Sequence, residues 1–216
     1  MGGYVVLDLE MCKLPKGYKP KEFKHNSEII QIGAVLIDDT YKIVDKYAAF
    51  VKPQYGELDA HISHLTGINK GDIKDAPLLD VVIREFEKWI PKDAVLVSWS
   101  ETDLYQLRYE FEDKNIALGR FEKYFETWVD CQKKFSERLE SSRPYNLEEA
   151  LIIADIIPEG RAHNGLDDAY NTGLLYIKML ENSQFELNKL YLESKNEEHE
   201  TLSFSMGDLF SNIKFD

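Results

Sequence analysis

Apolar residues along the chain switch between two patterns. Tyr4 to Leu9 is a β-branched and aliphatic run and reads as a buried strand. Ile29 to Asp38 is a second strand, with Asp38-Asp39 as its turn, and Lys42 to Val51 is a third that ends before Pro53. So short a connection predicts antiparallel pairing of these neighbours. From Leu78 the period changes. Apolar residues at 78, 79, 82, 83, 86, 89 and 90 have helical spacing, and Pro91 ends the run. Ala94 to Val97 predicts a fourth strand, and Ser100 or Thr102 can cap a helix through about Glu112. Phe125 to Val129 reads as a fifth strand. Helices follow at Cys131–Leu139, Asn146–Ile153 and Leu166–Leu180. Hairpin strands first and β-α units afterwards predict an α/β protein, with a mixed sheet carrying helices on both faces.

Two stretches fall outside this pattern. Residues 11–25 hold five lysines against one glutamate and are broken by Pro15, Gly17 and Pro20, which predicts a basic loop. Residues 181–216 hold eight acids and three lysines. We therefore divide the chain into a catalytic-sized unit, 1–182, and an acidic extension, 183–216. Met206, Leu209, Phe210 and Ile213 follow i, i+3, i+4, i+7, with a capping pattern at Ser205–Asp208. That predicts a short amphipathic helix at 205–214, docked on its own domain or on a protein partner.

Composition narrows the function. The 216 residues carry a formal charge of −13, which argues against coating nucleic acid through bulk positive charge. It leaves room for a local phosphate-handling site. Two cysteines cannot build a disulfide framework, no apolar run is long enough to span a bilayer, and the start lacks a basic n-region. The expected location is cytoplasmic.

Three acidic spots are candidates for chemistry. Asp8 and Glu10 end the first strand, and residues i and i+2 share a strand face. Two close carboxylates repel, and a divalent cation relieves the repulsion. Asp-x-Glu is common by chance in so acidic a chain, so its position at a buried strand end is the stronger signal. Asp103 follows the fourth strand. His163 precedes Asp168 by five residues, in a small-residue turn that leads into a helix. Taken alone, Asp8 and Glu10 could be solvated acids that end a strand, and Asp103 and Asp168 could serve helix N-termini.

Taken in order, Asp8-Leu-Glu10, Asp103 and His163-Asn-Gly-Leu-Asp-Asp168 resemble the DEDDh 3′-5′ exonuclease family, of RNase T and polymerase proofreading type. Glu28-Ile-Ile-Gln-Ile-Gly resembles that family's second strand, and His64-Leu-Thr-Gly-Ile68 its loop near the terminal nucleotide. The likeness covers about residues 3–182. Asp-Leu-Glu-Met-Cys and Val-Ser-Trp-Ser-x-x-Asp are most similar to the RNA-exonuclease branch with KapD-type bacterial members. Met11 stands where Thr is common, and Ser98-Trp99 where His-Asn is common in proofreading members. Neither is a metal-ligand position.

The resemblance implies a ribonuclease H-like five-stranded mixed sheet and two-metal hydrolysis of 3′ ends. Asp8 would bridge two Mg²⁺ ions, Glu10 and Asp168 would hold the first, and Asp103 the second. Mn²⁺ should substitute on such oxygen ligands. His163 would take the proton from the attacking water. Lys13 and Lys16 are candidates to grip phosphates, and Met11, Leu65 and Trp99 to pack on terminal bases or sugars. Core packing is the competing reading for Trp99. Asn146 starts a helix that lies near the site in such proteins. Three functions remain in play: an exonuclease on single-stranded RNA, a DNA exonuclease in proofreading or repair, and a non-catalytic regulator that binds RNA or protein.

Overall fold

A computed structural model describes residues 2–15 and 25–181. Lys16 and the 205–214 helix lie outside them. Five strands, β1 (Tyr4–Lys13), β2 (Ser27–Ile37), β3 (Ile43–Phe50), β4 (Val95–Ser98) and β5 (Val129–Asp130), form one sheet in the order β3-β2-β1-β4-β5. β1 and β2 pair antiparallel, as do β2 and β3. β1–β4 and β4–β5 are parallel. The parallel step needs a crossover, supplied by α1 (Ala60–Thr66), α2 (Lys70–Lys74) and α3 (Leu79–Trp89). α4 (Glu101–Asp113) and α5 (Phe121–Glu126) lead to β5, and α6 (Cys131–Arg138), α7 (Leu147–Ile153) and α8 (Gly165–Glu181) come after it.

Both faces are covered. Val5, Leu7 and Leu9 point toward α3, α4 and α5, where Phe86, Leu107, Phe111 and Phe121 fill one core. Val6, Val35 and Val97 point the other way, onto Phe135, Leu151 and Leu175. This double burial explains why β1 and β2 read as continuous apolar runs rather than alternating ones. Among the described residues, no helix is long and apolar enough to cross a membrane. Cys12 and Cys131 are both buried and unbonded.

The structure corrects three readings. Phe125–Val129 is not a strand. α5 places Phe121, Tyr124 and Phe125 in the core at i, i+3, i+4, and only Val129–Asp130 pairs with β4. Aromatic residues favour strands on propensity, but here packing decides. The short helices α1 and α2 have no counterpart in the sequence pattern. And β1 runs on to Lys13, so Asp8 and Glu10 lie within it and not at its end.

That last difference positions the site. β4 pairs only with Tyr4–Val6, so beyond Val6 the β4-side edge of β1 has no strand beside it. α4 lies there instead, and the Asp103 Oδ1 carboxylate oxygen accepts the Leu9 N–H at 3.1 Å. A bulge between Glu10 and Met11 adds one residue to β2 and re-aims the end of β1 from Met11 onward.

Candidate active site

Asp8 and Glu10 project from the α8 face of β1, the face that also carries Val6. α8 reaches them because its first turn has almost no side chain in the way. Asp8 pairs with Gly33 across β1 and β2. A Cβ at Gly33 would collide with the Gly165 backbone, and one at Gly165 would press on the Asp8 carbonyl. The Gly165 N–H donates to Gln31 Oε1 at 3.1 Å, which pins the helix start to β2. Asn164 Oδ1 accepts from the N–H groups of Leu166 and Asp167, capping the same turn.

One turn into α8, Asp168 faces Asp8 and Glu10. The three offer ligand oxygens within 4.8 Å of one another. The five-residue spacing from His163 now has a physical cause. His163 has a left-handed backbone, φ 62, and its N–H donates to Asp168 Oδ2 at 2.8 Å. The hydrogen bond stabilises a conformation that a non-glycine residue seldom adopts. It also leaves the other Asp168 oxygen for the cluster.

The electrostatics are those of acids without a partner. Burial, then the charges of Asp103, Glu10 and Asp168, hold the Asp8 carboxyl well above its ordinary range. Glu10 is pushed up to about 8 by burial and by Asp168 and Asp103. Burial raises Asp103 to about 7, against the opposing hydrogen bonds from Leu9 N–H and its own N–H. Asp168 is raised by burial and drawn back by the His163 N–H and charge. No lysine or arginine among the described residues figures in these shifts. Carboxylates held together at such cost fit a hard divalent cation, which oxygen ligands bind and whose charge reverses the repulsion.

The other candidates are spread around this centre. His163 and Asp168 line a cavity of about 480 Å³ together with Asn146, Leu147 and Pro158. Asn146 caps α7 with a reciprocal bond to Glu149. Met11 points to the opposite face of β1 from Glu10 and packs on the α3–α5 core. Lys13 is exposed at the end of β1. Trp99 packs in the α6–α8 layer, its ring 6.3 Å from that of Phe135. Leu65 belongs to α1, whose C-terminal carbonyls are tied to the His163 loop.

Residues 5–176 match the profile described as RNase_T: Exonuclease. The chain belongs to this exonuclease family. It is 30% identical to human ERI1 exoribonuclease 2 over 204 residues, covering 82% of this chain and 28% of that protein. It is also 30% identical to a DNA polymerase III PolC-type protein of Caldanaerobacter subterraneus, covering 85% of this chain and 12% of the relative. The chain thus spans less than a third of either. The nuclease domain of 3′hExo, a DEDDh family member bound to rAMP, superposes with a TM-score of 0.67 at 20% identity, covering 87% of this chain and 96% of that domain. That likeness carries the fold. The ribonuclease H-like sheet expected from the sequence is the one observed.

Sequence reasoning missed Arg161. Its guanidinium donates to the carbonyls of His64 and of Leu65, the latter at 3.3 Å. It thereby clamps α1 to the loop that carries His163. Asp167, which could be mistaken for a ligand beside Asp168, accepts the Arg161 N–H at 2.9 Å and shapes that loop. Gln31, Gly33 and Gly165 fall within the quoted motifs, but the contact that joins them was missed. Glycine at two facing positions was the available signal for close approach of a helix to a sheet.

Proposed function

We propose that the chain is a metal-dependent exoribonuclease that removes nucleotides from single-stranded 3′ ends. The observation that carries this reading is the group of three carboxylates with oxygens within 4.8 Å, raised in pKa and flanked by Asp103 and His163. Asp8, Glu10 and Asp168 would hold one divalent cation, Mg²⁺ or Mn²⁺, and Asp8 and Asp103 would hold a second. Bound there, the cations would stabilise charge on the entering and leaving oxygens of the phosphodiester.

The chain's own residues do the rest. His163 takes a proton from the attacking water through its ring, while its backbone stays anchored to Asp168. Leu9 N–H and Asp103 keep α4 at the correct distance from β1. Arg161 holds the Leu65 end of α1 against the His163 loop, so Leu65 and Asn146 can contact the terminal nucleotide from two sides. Lys13 and, by sequence, Lys16 would hold phosphates further back, and Met11 would shape the strand edge. We assign Trp99 to packing. RNA is favoured over DNA because the human relative is named an exoribonuclease; the PolC-type relative makes DNA the second reading. The likeness to KapD-type bacterial members and the cytoplasmic location rest on the sequence motifs and composition.

The test uses 5′-labelled single-stranded RNA and DNA, with Mg²⁺ or with chelator. The expected result is a Mg²⁺-dependent ladder of products shortened from the 3′ end, faster on RNA. Faster DNA shortening would move the protein to the second reading. No metal-dependent shortening of either polymer would refute both and favour a non-catalytic binder.

A further inference from the structure

α4 has three faces, and the catalytic account uses two. Leu104, Leu107 and Phe111 enter the core. Asp103, Gln106 and Glu110 bond the strand ends, Gln106 through Ser27 and Glu110 through the Ile29 N–H. The third face carries Tyr105 and Tyr109, which are 42% and 39% exposed. They do not point at random. Their rings lie 6.1 Å apart at 19°, and the His25 ring stacks on Tyr109 at 3.9 Å and 12°. The Tyr105 hydroxyl donates to the Glu101 carboxylate at 3.3 Å, and His25 Nε2 lies 3.8 Å from Asp113. Three near-parallel rings thus form a pile at the surface, with Tyr105 and Tyr109 exposed and His25 half-buried.

The pile begins at the site end of α4. Tyr105 is two residues from Asp103, about 3 Å along the helix axis but on the other side of the helix, and Tyr109 lies about 9 Å along, so a strand leaving the carboxylates would reach the rings by rounding the N-terminal end of α4. An i,i+4 aromatic pair adds only ~0.2–0.5 kcal/mol to a helix, and that alone does not call for a third ring from a distant segment. We propose that Tyr105, Tyr109 and His25 form an upstream subsite on which unpaired bases of a single-stranded nucleic acid stack while its 3′ end occupies the carboxylate site. This rests on the exonuclease reading and adds to it where the strand runs.

The chemistry selects bases over phosphates. Exposed Glu101 and Glu112 flank the rings, with Arg108 as the exposed cation between them on the helix. Glutamates repel phosphates, whereas every base offers a π-face. Binding through the pile is therefore insensitive to base identity and only weakly dependent on salt.

The experiment measures anisotropy of a 5′-fluorescein single-stranded RNA ten-mer with the full chain in chelator, so that binding is read without cleavage. Tyr105→Ala/Tyr109→Ala should weaken Kd by about tenfold or more, given stacking energies of ~1–3 kcal/mol per base. Tyr105→Phe/Tyr109→Phe should stay within about twofold, since the ring faces persist. His25→Ala, at the far end, should weaken Kd by a smaller factor and guards against misfolding of the double variant. A ten-mer abasic upstream of its last two nucleotides should bind the wild type and the double alanine variant equally. Wild-type affinity in the double alanine variant, or an equal loss with the abasic ten-mer, would overturn the subsite. The exonuclease reading fails separately, if the wild type binds the ten-mer but never shortens it with Mg²⁺.

Discussion

α4 touches two groups of buried acids, and they differ in one respect. At its C-terminal end, Glu110 and Glu28 are fully buried, and Lys114 sits between them at 2.7 and 2.6 Å. Glu28 also accepts N–H bonds from Gln54, Tyr55 and Gly56. Burial raises Glu110 and Lys114 opposes it; for Lys114 burial works downward, but the two glutamates outweigh it and raise its pKa. At the N-terminal end, Asp103 joins Asp8, Glu10 and Asp168, all raised in pKa. The first group carries its cation in the sequence. The second has no such cation among the described residues, and on the proposed function it takes one from solution. A buried carboxylate is thus a structural part or a functional one according to where its counter-charge comes from.

Substitutions in the two groups should have opposite effects on activity and stability. Asp8→Ala should lower the rate at saturating Mg²⁺ by ~10³-fold or more, since it removes the shared ligand, and circular dichroism should show the fold intact. Lys114→Met should do the opposite. It strands two buried glutamates and should cost about 3–5 kcal/mol in urea unfolding. If His163 acts as the proposed general base and holds no ion, His163→Ala should reduce kcat by about 10²–10⁴ while Mn²⁺ binding persists.

The two groups should also differ in their response to pH. Glu10 goes from 4.5 to about 8 and Asp103 from 3.8 to about 7 on folding, so the folded chain binds protons more tightly than the unfolded one. Stability is then greatest below their unfolded pKa values and declines as pH rises toward 7 to 8. Metal-free protein should melt at progressively lower temperature between about pH 5 and 8, at up to ~1.4 kcal/mol per pH unit for each proton released. Mg²⁺ should flatten that slope, and Glu10→Gln should shrink it without metal. An unchanged slope in the variant would remove Glu10 from the strained group. The smallest effect is expected at Trp99. Trp99→Phe should lower Tm by about 2–4 °C for a loss near 1 kcal/mol, as a packing residue does; a raised KM with unchanged Tm would return Trp99 to the substrate.

Much of this was legible in the residues. Strong periodicity marked β1–β4, α3, α4 and α6–α8, because each buries a face. Phe125–Val129 reads as a strand because its aromatic residues carry strand propensity, but its first two residues end α5, and the strand that forms is only Val129–Asp130. Four of the five catalytic candidates sit in local patterns, Asp-x-Glu and His-x4-Asp, whereas Asp103 was marked by its place after the fourth strand and by the family resemblance that joins all five. The contacts that hold them together were not legible. The Gln31–Gly165 bond spans 134 residues, and the Arg161 clamp on His64 spans 97. No short pattern encodes either. The same holds for Lys114, whose partner Glu28 is 86 residues away.

On the proposed function the Asp8 group takes its cations from solution, whereas the Lys114 group carries its own. Mn²⁺ binding by calorimetry, on the wild type and on Asp8→Ala, tests it without reference to activity. The account predicts two Mn²⁺ per wild-type chain and loss of both from the variant. Equal Mn²⁺ binding by the two proteins, or none by the wild type, would contradict it.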